Sequence, residues 1–310
     1  MIVSVTMNPS VDISYPLDTL VINDVNRCDQ VRKTAGGKGL NVTRVIHQMN
    51  EKVVSTGLLG GMLGAFIREN LSKEGINHHF SDIEGDTRNC IAILHDDGKQ
   101  TEVLESGPVI SEEELVAFET IFLNLAKTSQ VVTLSGSLPK GVPVDYYSQL
   151  LTLLSDSQTK VILDTSGDSL KCALTGEHKP YAIKPNSDEL QALIGEKVTE
   201  DYTNLPDMLT HPLFDGVALI MVSLGKDGAF VKYEDSFYRV KIPTISVKNP
   251  VGSGDSSVAG LAIGLAKELP IEDTLKYAMT LGMLNAMEDT TGSVDVTQFN
   301  QIYDRIFIDK

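Results

Sequence analysis

From about residue 108 onward, short apolar runs alternate with helical patterns, and that rhythm restricts the fold more than any other feature of the chain. Val131–Leu134 precedes a helical stretch near Asp145–Ser155. Lys160–Leu163 and Ala182–Lys184 follow, the latter leading into a helical Ser187–Ile194, and then comes Ala218–Ser223. A strand-like Thr244–Val247 feeds a helix beginning near Ser253. Continuous apolar strands between helices are buried on both faces, which calls for a mainly parallel sheet with helices on either side. The expected class is therefore α/β. Ser111-Glu112-Glu113-Glu114, ahead of Leu115, Phe118, Ile121, Phe122 and Leu125, has the form of a capping box opening an amphipathic helix.

Two segments break the rhythm. Val11–Asp18 alternates apolar and polar residues, as a half-exposed strand does, and Cys90–Leu94 and Thr101–Leu104 flank a hairpin turn at Asp96-Asp97-Gly98-Lys99. Pattern alone leaves two readings open: ordinary surface hairpins, or a small separate sheet standing over one edge of the main one.

Ligands of α/β folds bind beyond the carboxyl ends of the strands, so glycine-marked helix starts deserve scrutiny. Ala35-Gly36-Gly37-Lys38-Gly39-Leu40-Asn41-Val42 opens a helix running through Val45, Ile46 and Met49. Its spacing is neither that of a Walker A loop nor GxGxxG, and a plain glycine turn is an equal reading. Pro250-Val251-Gly252-Ser253-Gly254-Asp255-Ser256 opens a second helix with Val258, Leu261, Ala262 and Leu265 as its stripe. Consecutive amides of small residues make a concave nest suited to phosphate charge. Asp255 in the first turn can take a proton from a hydroxyl nucleophile, or equally can cap the helix and complement its dipole.

Across 310 residues, 26 Lys+Arg against 42 Asp+Glu give a net charge of −16, which argues against nucleic acid or an anionic membrane as partner. An anionic small molecule is compatible, gripped by a few local cations and backbone amides. No run approaches the roughly 20 apolar residues of a membrane span. Met1–Thr6 reads as a strand rather than a secretory leader. Cys28, Cys90 and Cys172 show no metal-ligand spacing, so a reduced, cytoplasmic setting is expected.

Taken together, the two glycine segments resemble the paired signatures of the ribokinase-like (PfkB) carbohydrate kinase family. Gly36, Gly37, Gly39 and Asn41 match the first, and Asn249 to Gly260 match the second, [DN]-[PT]-x-G-[AS]-G-D with small residues after it. Ser135-Gly136-Ser137-Leu138-Pro139, Asp164-Thr165-Ser166-Gly167, Lys184-Pro185-Asn186 with Glu189, and Val222-Ser223-Leu224-Gly225 with Gly228 agree in order. The resemblance spans nearly the whole chain. It implies a ribokinase-like α/β core from residues 1–10, 36–87 and 107–310, with a β-sheet lid from 11–35 and 88–106. It implies ATP and Mg²⁺ as cofactors, Asp255 as base, and the amides of Gly252, Ser253, Gly254 and Asp255 as anion hole. Asp12, Gly37 and Asn41 would hold sugar hydroxyls, with Ser137 on the same substrate side. Asn186 and Glu189 correspond to a pair that organises water around Mg²⁺. Lys184, Ser223, Gly225 and Gly228 correspond to nucleotide contacts, and Asn285 to a neighbour of the adenine.

Arg27, Lys38 and Arg88 lie in or beside the lid segments and suit a phosphate on the sugar. Family members acting on unphosphorylated sugars typically have an uncharged residue at the Lys38 position, which directs the reading to a phosphosugar. The opening Thr6–Pro16 most resembles the tagatose-6-phosphate branch, which phosphorylates O1 to give tagatose 1,6-bisphosphate. A 1-phosphofructokinase is the alternative, and a non-catalytic sugar-phosphate sensor the remote one. Two departures stand out. Glu102 occupies a position where the minor 6-phosphofructokinase branch has Arg, and Asn249 replaces a frequent Asp, which speaks against a potassium requirement. Relatives often pair two lids, so a homodimer is expected.

Overall fold

The computed structural model describes residues 1–96 and 98–310; the hairpin turn expected over 96–99 includes Asp97, which lies outside the described residues. The chain opens with β1 (Ile2–Thr6), β2 (Ser10–Pro16), β3 (Arg32–Gly36) and α1 (Lys38–Gln48). β4 (Val53–Gly60), α2 (Gly61–Lys73), β5 (Asn77–His78), β6 (Ser81–Ile83), β7 (Arg88–His95) and β8 (Lys99–Leu104) follow. Next come α3 (Glu112–Ala126), β9 (Val131–Ser135), α4 (Tyr146–Leu153), β10 (Lys160–Asp164), α5 (Gly167–Thr175), β11 (Ala182–Ile183) and α6 (Ser187–Ile194). The last third holds α7 (Leu205–Leu209), β12 (Leu219–Ser223), β13 (Ala229–Tyr233), β14 (Ser236–Lys241), α8 (Ser253–Ala266), α9 (Ile271–Ala286), α10 (Phe299–Tyr303) and β15 (Phe307–Asp309).

The main sheet runs β15-β14-β13-β12-β11-β10-β9-β1-β4-β5, with β6 also paired to β4. From β12 to β5 every pairing is parallel. All five residues of both β1 and β9 are buried, as two-sided coverage by helices requires. One core packs Phe118, Phe122, Tyr147 and Leu150 against Val3, Val5, Val132 and Leu163. The other packs Val42, Val45, Val258 and Leu261 against Ile2, Val131 and Ile162. Odd and even strand residues thus face opposite layers, and α1 and α8 share one of them.

Two features depart from the sequence expectation. Thr244–Val247 joins no strand ladder, and the amides of Lys248 and Asn249 instead donate to Ala286 O at the end of α9, at 2.8 and 3.2 Å. Both edges of β14 are already taken, by β13 and β15, so this stretch has no ladder to enter. The antiparallel extension β13-β14-β15 is the second departure; a tight turn with Glu234 at φ 50° joins its first two strands.

β3-β2-β7-β8 form a separate four-stranded sheet. Val11 and Ile13 pack with Leu59, Ile67, Leu71 and Phe80, while Asp12 lies on the opposite face in register with Cys90. This is the small sheet that pattern alone left undecided.

Candidate active site

α8 begins without any side-chain cap. Its N-cap, Gly252, has φ 84°, and a Cβ there would meet Thr291 Cγ2 at 2.4 Å, so only glycine fits. Ser253 N donates to Pro250 O at 3.3 Å. Among the described residues the amides of Gly252, Gly254 and Asp255 have no protein acceptor, which leaves the positive end of the helix open to an anion. Lys184 reaches this end from the terminus of β11: a Cβ on Gly254 would lie 3.1 Å from its Nζ.

Asp255 is 7% exposed and does not cap α8; its Oδ2 accepts from Asn41 Nδ2 at 2.8 Å. The helix-cap reading therefore fails in geometry. Burial raises the Asp255 carboxyl to a pKa of about 6, reinforced by the charge of Asp164 and opposed by Lys38, the Asn41 hydrogen bond and Lys184. Such a group is ionised at neutral pH while keeping appreciable basicity, the condition general-base catalysis asks for.

Asp164, at the end of β10, is 3% exposed and lies 3.3 Å from Lys38 Nζ and 3.6 Å from Lys184 Nζ. Burial alone would raise its pKa, but the two ammonium groups outweigh that and the net shift is downward. Lys38 is raised in turn, chiefly by Asp164. The sequence quoted Asp164 without assigning it to the site; its position at the end of an apolar run, just before a glycine-started helix, was the available signal.

Beneath the glycine segment, Thr6 and Ser135 are register partners on adjacent strands, so their side chains share a face with Asp164, the next partner along. Thr6 Oγ1, Ser135 Oγ and the nearby Asn8 Oδ1 are buried without a hydrogen-bond partner among the described residues. Thr6, Asn8, Gly37, Lys38, Arg88 and Ser137 all line a cavity of about 500 Å³, as does Ser135. Unpartnered polar atoms beside a cavity suit a ligand rich in hydroxyls. All three fall in motifs quoted from the sequence, but none is assigned there to the site.

Several expected residues take positions other than foreseen. Lys38 points to the floor and pairs with Asp164, so it belongs to the Asp255 cluster rather than to the small sheet. Arg27 is exposed in the stretch between β2 and β3 and does not line the cavity, so the three cations do not converge. Arg88 lines the cavity and uses three donors on Asn8 O and Glu105 O, leaving two of its five N–H groups. Asp12 accepts from Ser10 Oγ at 2.6 Å and, by burial, is pushed above the usual carboxylate range. Asn285 is fully buried: it accepts from Ser256 Oγ and Gly292 N and donates to Val251 O. It braces the glycine loop from behind and offers no face to an adenine.

Asn186 and Glu189 form a reciprocal capping box on α6, at 2.9 and 2.8 Å. The box engages Glu189 Oε2 and leaves Oε1 available. Asn186 is bridged to Ser223, and Gly225 and Gly228 follow at φ 56° and 85°, so these residues adjoin one another at the ends of β11 and β12. A Cβ on Gly228 would strike Val240 O at 2.1 Å.

The model of the pfkB family carbohydrate kinases matches residues 5–297. A protein described as a candidate phosphofructokinase from Staphylococcus aureus superposes with a TM-score of 0.84 at 29% identity, covering 100% of this chain and 98% of that one. Phosphofructokinase-2 from Escherichia coli, solved with fructose 6-phosphate, gives a TM-score of 0.89 at 24% identity over 98% of each chain. A protein described as a possible 1-phosphofructokinase from Thermotoga maritima gives 0.83 at 22% identity, covering 100% of this chain and 99% of that one.

Proposed function

The chain belongs to the pfkB family of carbohydrate kinases, and from that premise we propose that it transfers the γ-phosphoryl group of ATP to O1 of tagatose 6-phosphate. The observation that carries the chemistry is Asp255, a buried carboxylate held by Asn41 at the uncapped start of α8. In the reaction the O1–P bond forms, the bond from P to the β,γ-bridging oxygen breaks, and the O1 proton passes to Asp255. The free amides of Gly252, Gly254 and Asp255, with Lys184 beside them, face the charge that develops on the transferring group. Asp164 pairs with Lys38 and Lys184, the two cations whose charge also reaches Asp255.

Mg²⁺ fits the nucleotide end. Magnesium keeps several waters and takes few protein groups, and Glu189 has one carboxylate oxygen outside its capping bond. When bound, the ion supplies neutralisation of the nucleotide phosphates. Ser223, Gly225 and Gly228 are proposed as nucleotide contacts.

A phosphorylated sugar is supported by Arg88, which lines the cavity with two N–H groups unused, in a chain of net charge −16. Asp12, Gly37, Asn41 and Ser137, with the unpartnered Thr6, Asn8 and Ser135, are proposed to receive the sugar hydroxyls. Glu102 lies in register with Ala92 on the Asp12 face of the small sheet, where its charge disfavours a phosphate. The relatives described as phosphofructokinases keep fructose 1-phosphate as a second reading. The small sheet with its β2–β3 connection is proposed as a lid and as the surface of a homodimer, since Ile22 and Val25 in that connection and Val103 and Leu104 on β8 are each more than half exposed, at 72%, 69%, 54% and 59%. Among the described residues no helix is long and apolar enough to cross a membrane, and a cytoplasmic setting is proposed with the rest.

The test is a coupled assay of ADP release with tagatose 6-phosphate, fructose 6-phosphate and fructose 1-phosphate. The highest kcat/KM is expected for tagatose 6-phosphate. A higher value for fructose 1-phosphate selects the second reading, and no turnover of any of the three selects a sugar-phosphate sensor. A monomeric mass in solution would remove the dimer.

A further inference from the structure

Arg44 has no place in the functional reading so far, yet its surroundings are unusual for a guanidinium. It sits partly buried on α1, two α-helical turns into the chain segment that begins at Gly37. Desolvation pulls its pKa down, against the attraction of Glu74, Asp12 and Asp255. Its two side-chain hydrogen bonds both go to neutral acceptors, Nη1 to Ala35 O and Nη2 to Asn41 Oδ1, the latter at 2.6 Å. Enclosing a cation on neutral partners has a desolvation cost that apolar packing would avoid. The cost needs a return.

The return lies in what the fork does to Asn41. A carboxamide has two orientations of similar shape, and the hydrogen-bond network decides between them. With Oδ1 accepting from Arg44, Nδ2 faces Asp255 and donates to it at 2.8 Å. The flipped amide would set N–H groups against the guanidinium and a carbonyl oxygen against the carboxylate, repulsive at both ends. Gly292 closes the remaining side: a Cβ there would come within 3.0 Å of Asn41 Oδ1 and 3.1 Å of Arg44 Nη2. The other prong ends on Ala35, the penultimate residue of β3, which belongs to the small sheet.

We propose that Arg44 is the positioning residue of the base: its fork holds the Asn41 amide toward Asp255 and ties that orientation to the end of β3. This rests on Asp255 being the base. Arg44 itself touches no reacting atom. The fork leaves Asp255 Oδ1 for the acceptor hydroxyl, since Oδ2 is occupied by Asn41.

The charged and polar groups facing Asp255 are Asp164 from β10, Lys184 after β11, and Lys38, Asn41 and Arg44 on α1. Burial and Asp164 raise its pKa, whereas Lys38, Asn41 and Lys184 lower it. Losing the Asn41 hydrogen bond therefore moves the carboxyl further up from about 6, and the acid limb of kcat with it.

The experiment compares wild type with Arg44→Lys, which keeps the charge without the two-pronged fork, and Arg44→Met, which loses both. Titration of ¹³Cγ-labelled aspartates, with Asp255→Asn to assign the resonance, reads the base directly and needs no turnover. In Arg44→Lys the Asp255 midpoint is expected to rise about threefold or more in proton affinity. The acid limb of kcat should follow, most activity should return at high pH, and KM for ATP should hold. Gly292→Ala leaves residue 44 unsubstituted while its Cβ presses on both Asn41 Oδ1 and Arg44 Nη2, and it should shift the midpoint in the same direction, which covers the case that an Arg44 variant does not fold. An unshifted Asp255 midpoint in folded Arg44→Lys and Gly292→Ala overturns the proposal, as does a shift confined to Arg44→Met, which would be a charge effect alone. Wild type without turnover would defeat the kinase reading, and the titration would still decide the role of Arg44.

Discussion

Helices α3 and α6 close their own N-termini, whereas α1 and α8 leave theirs open. Ser111 accepts from Glu114 N while Glu114 reaches back to Ser111 N, and Asn186 and Glu189 repeat the same exchange. α1 and α8 start instead at Gly37 and Gly252, with φ 109° and 84°, and neither has a side-chain cap. Each closed start satisfies two of its orphan amides internally, which stabilises the helix without any ligand. The open starts hold unspent amides and carry Lys38, Asn41 and Asp255 within their first turns. α2 also starts at an uncapped glycine, Gly60, but with extended backbone at φ −142° and an apolar first turn, so α1 and α8 are set apart by a positive-φ glycine followed by polar side chains.

The strongest way to probe the open class is Asp255→Asn. It should retain ATP binding and lose about 10²–10⁴ in kcat, the usual worth of a general base. The same change should stabilise the protein near neutral pH. The folded carboxyl, at about 6, lies above its unfolded value of 3.8, so the native state binds the proton more tightly. The stability linked to that proton is present below pH 3.8 and is lost as pH rises through about 6. Removing the ionisable group should therefore raise the stability by about 1–3 kcal/mol at pH 7, fading to nothing at low pH. Thermal unfolding of the two proteins across that range checks the sign. A variant with near-normal kcat would move the base elsewhere.

Gly252→Ala tests whether the open start needs its backbone shape. The Cβ meets both a left-handed φ of 84° and a contact of 2.4 Å to Thr291 Cγ2. Displacing the amides should lower kcat by about 10²–10³, as loss of one preorganised donor does. Gly195, the C-cap of the self-closed α6, has a similar φ of 81° with nothing within 4 Å. Gly195→Ala should cost only the left-handed penalty of about 1–2 kcal/mol and leave kcat alone. Equal kinetic losses from the two would erase the distinction between open and closed starts.

What could be read from the sequence follows from how far each determinant reaches along the chain. The Ser111–Glu114 box and the strand runs at Val131 and Lys160 are local patterns, and the structure has them within a residue or two of the expected bounds. Asp164 gains its meaning from Lys38, 126 positions away, and Asn285 loses its expected one to Val251, 34 positions away. Neither relation leaves a trace in spacing. Thr244–Val247 has strand-forming residues but reaches the sheet where both edges of β14 are filled, a topological fact absent from composition. A basic residue on a helix such as Arg44 ordinarily reads as solvated surface; its contacts with Ala35 and Asn41 show otherwise.

The smallest effects sharpen the comparison most, because α6 stands on both sides of it. Ser111→Ala in α3 should cost about 1 kcal/mol and leave every kinetic constant unchanged. Asn186→Ala removes the equivalent acceptor from Glu189 N and should cost a similar amount. Glu189 keeps its bond to the backbone of residue 186 in that variant, so its carboxylate stays near its present position. If the pair also serves the magnesium–nucleotide end, Asn186→Ala should need more Mg²⁺ for half-maximal activity while Ser111→Ala does not. Should both variants lower only the melting temperature, the α6 box belongs with α3 as scaffold. The site would then rest on the open starts of α1 and α8 and the Asp164 lysine pair between them.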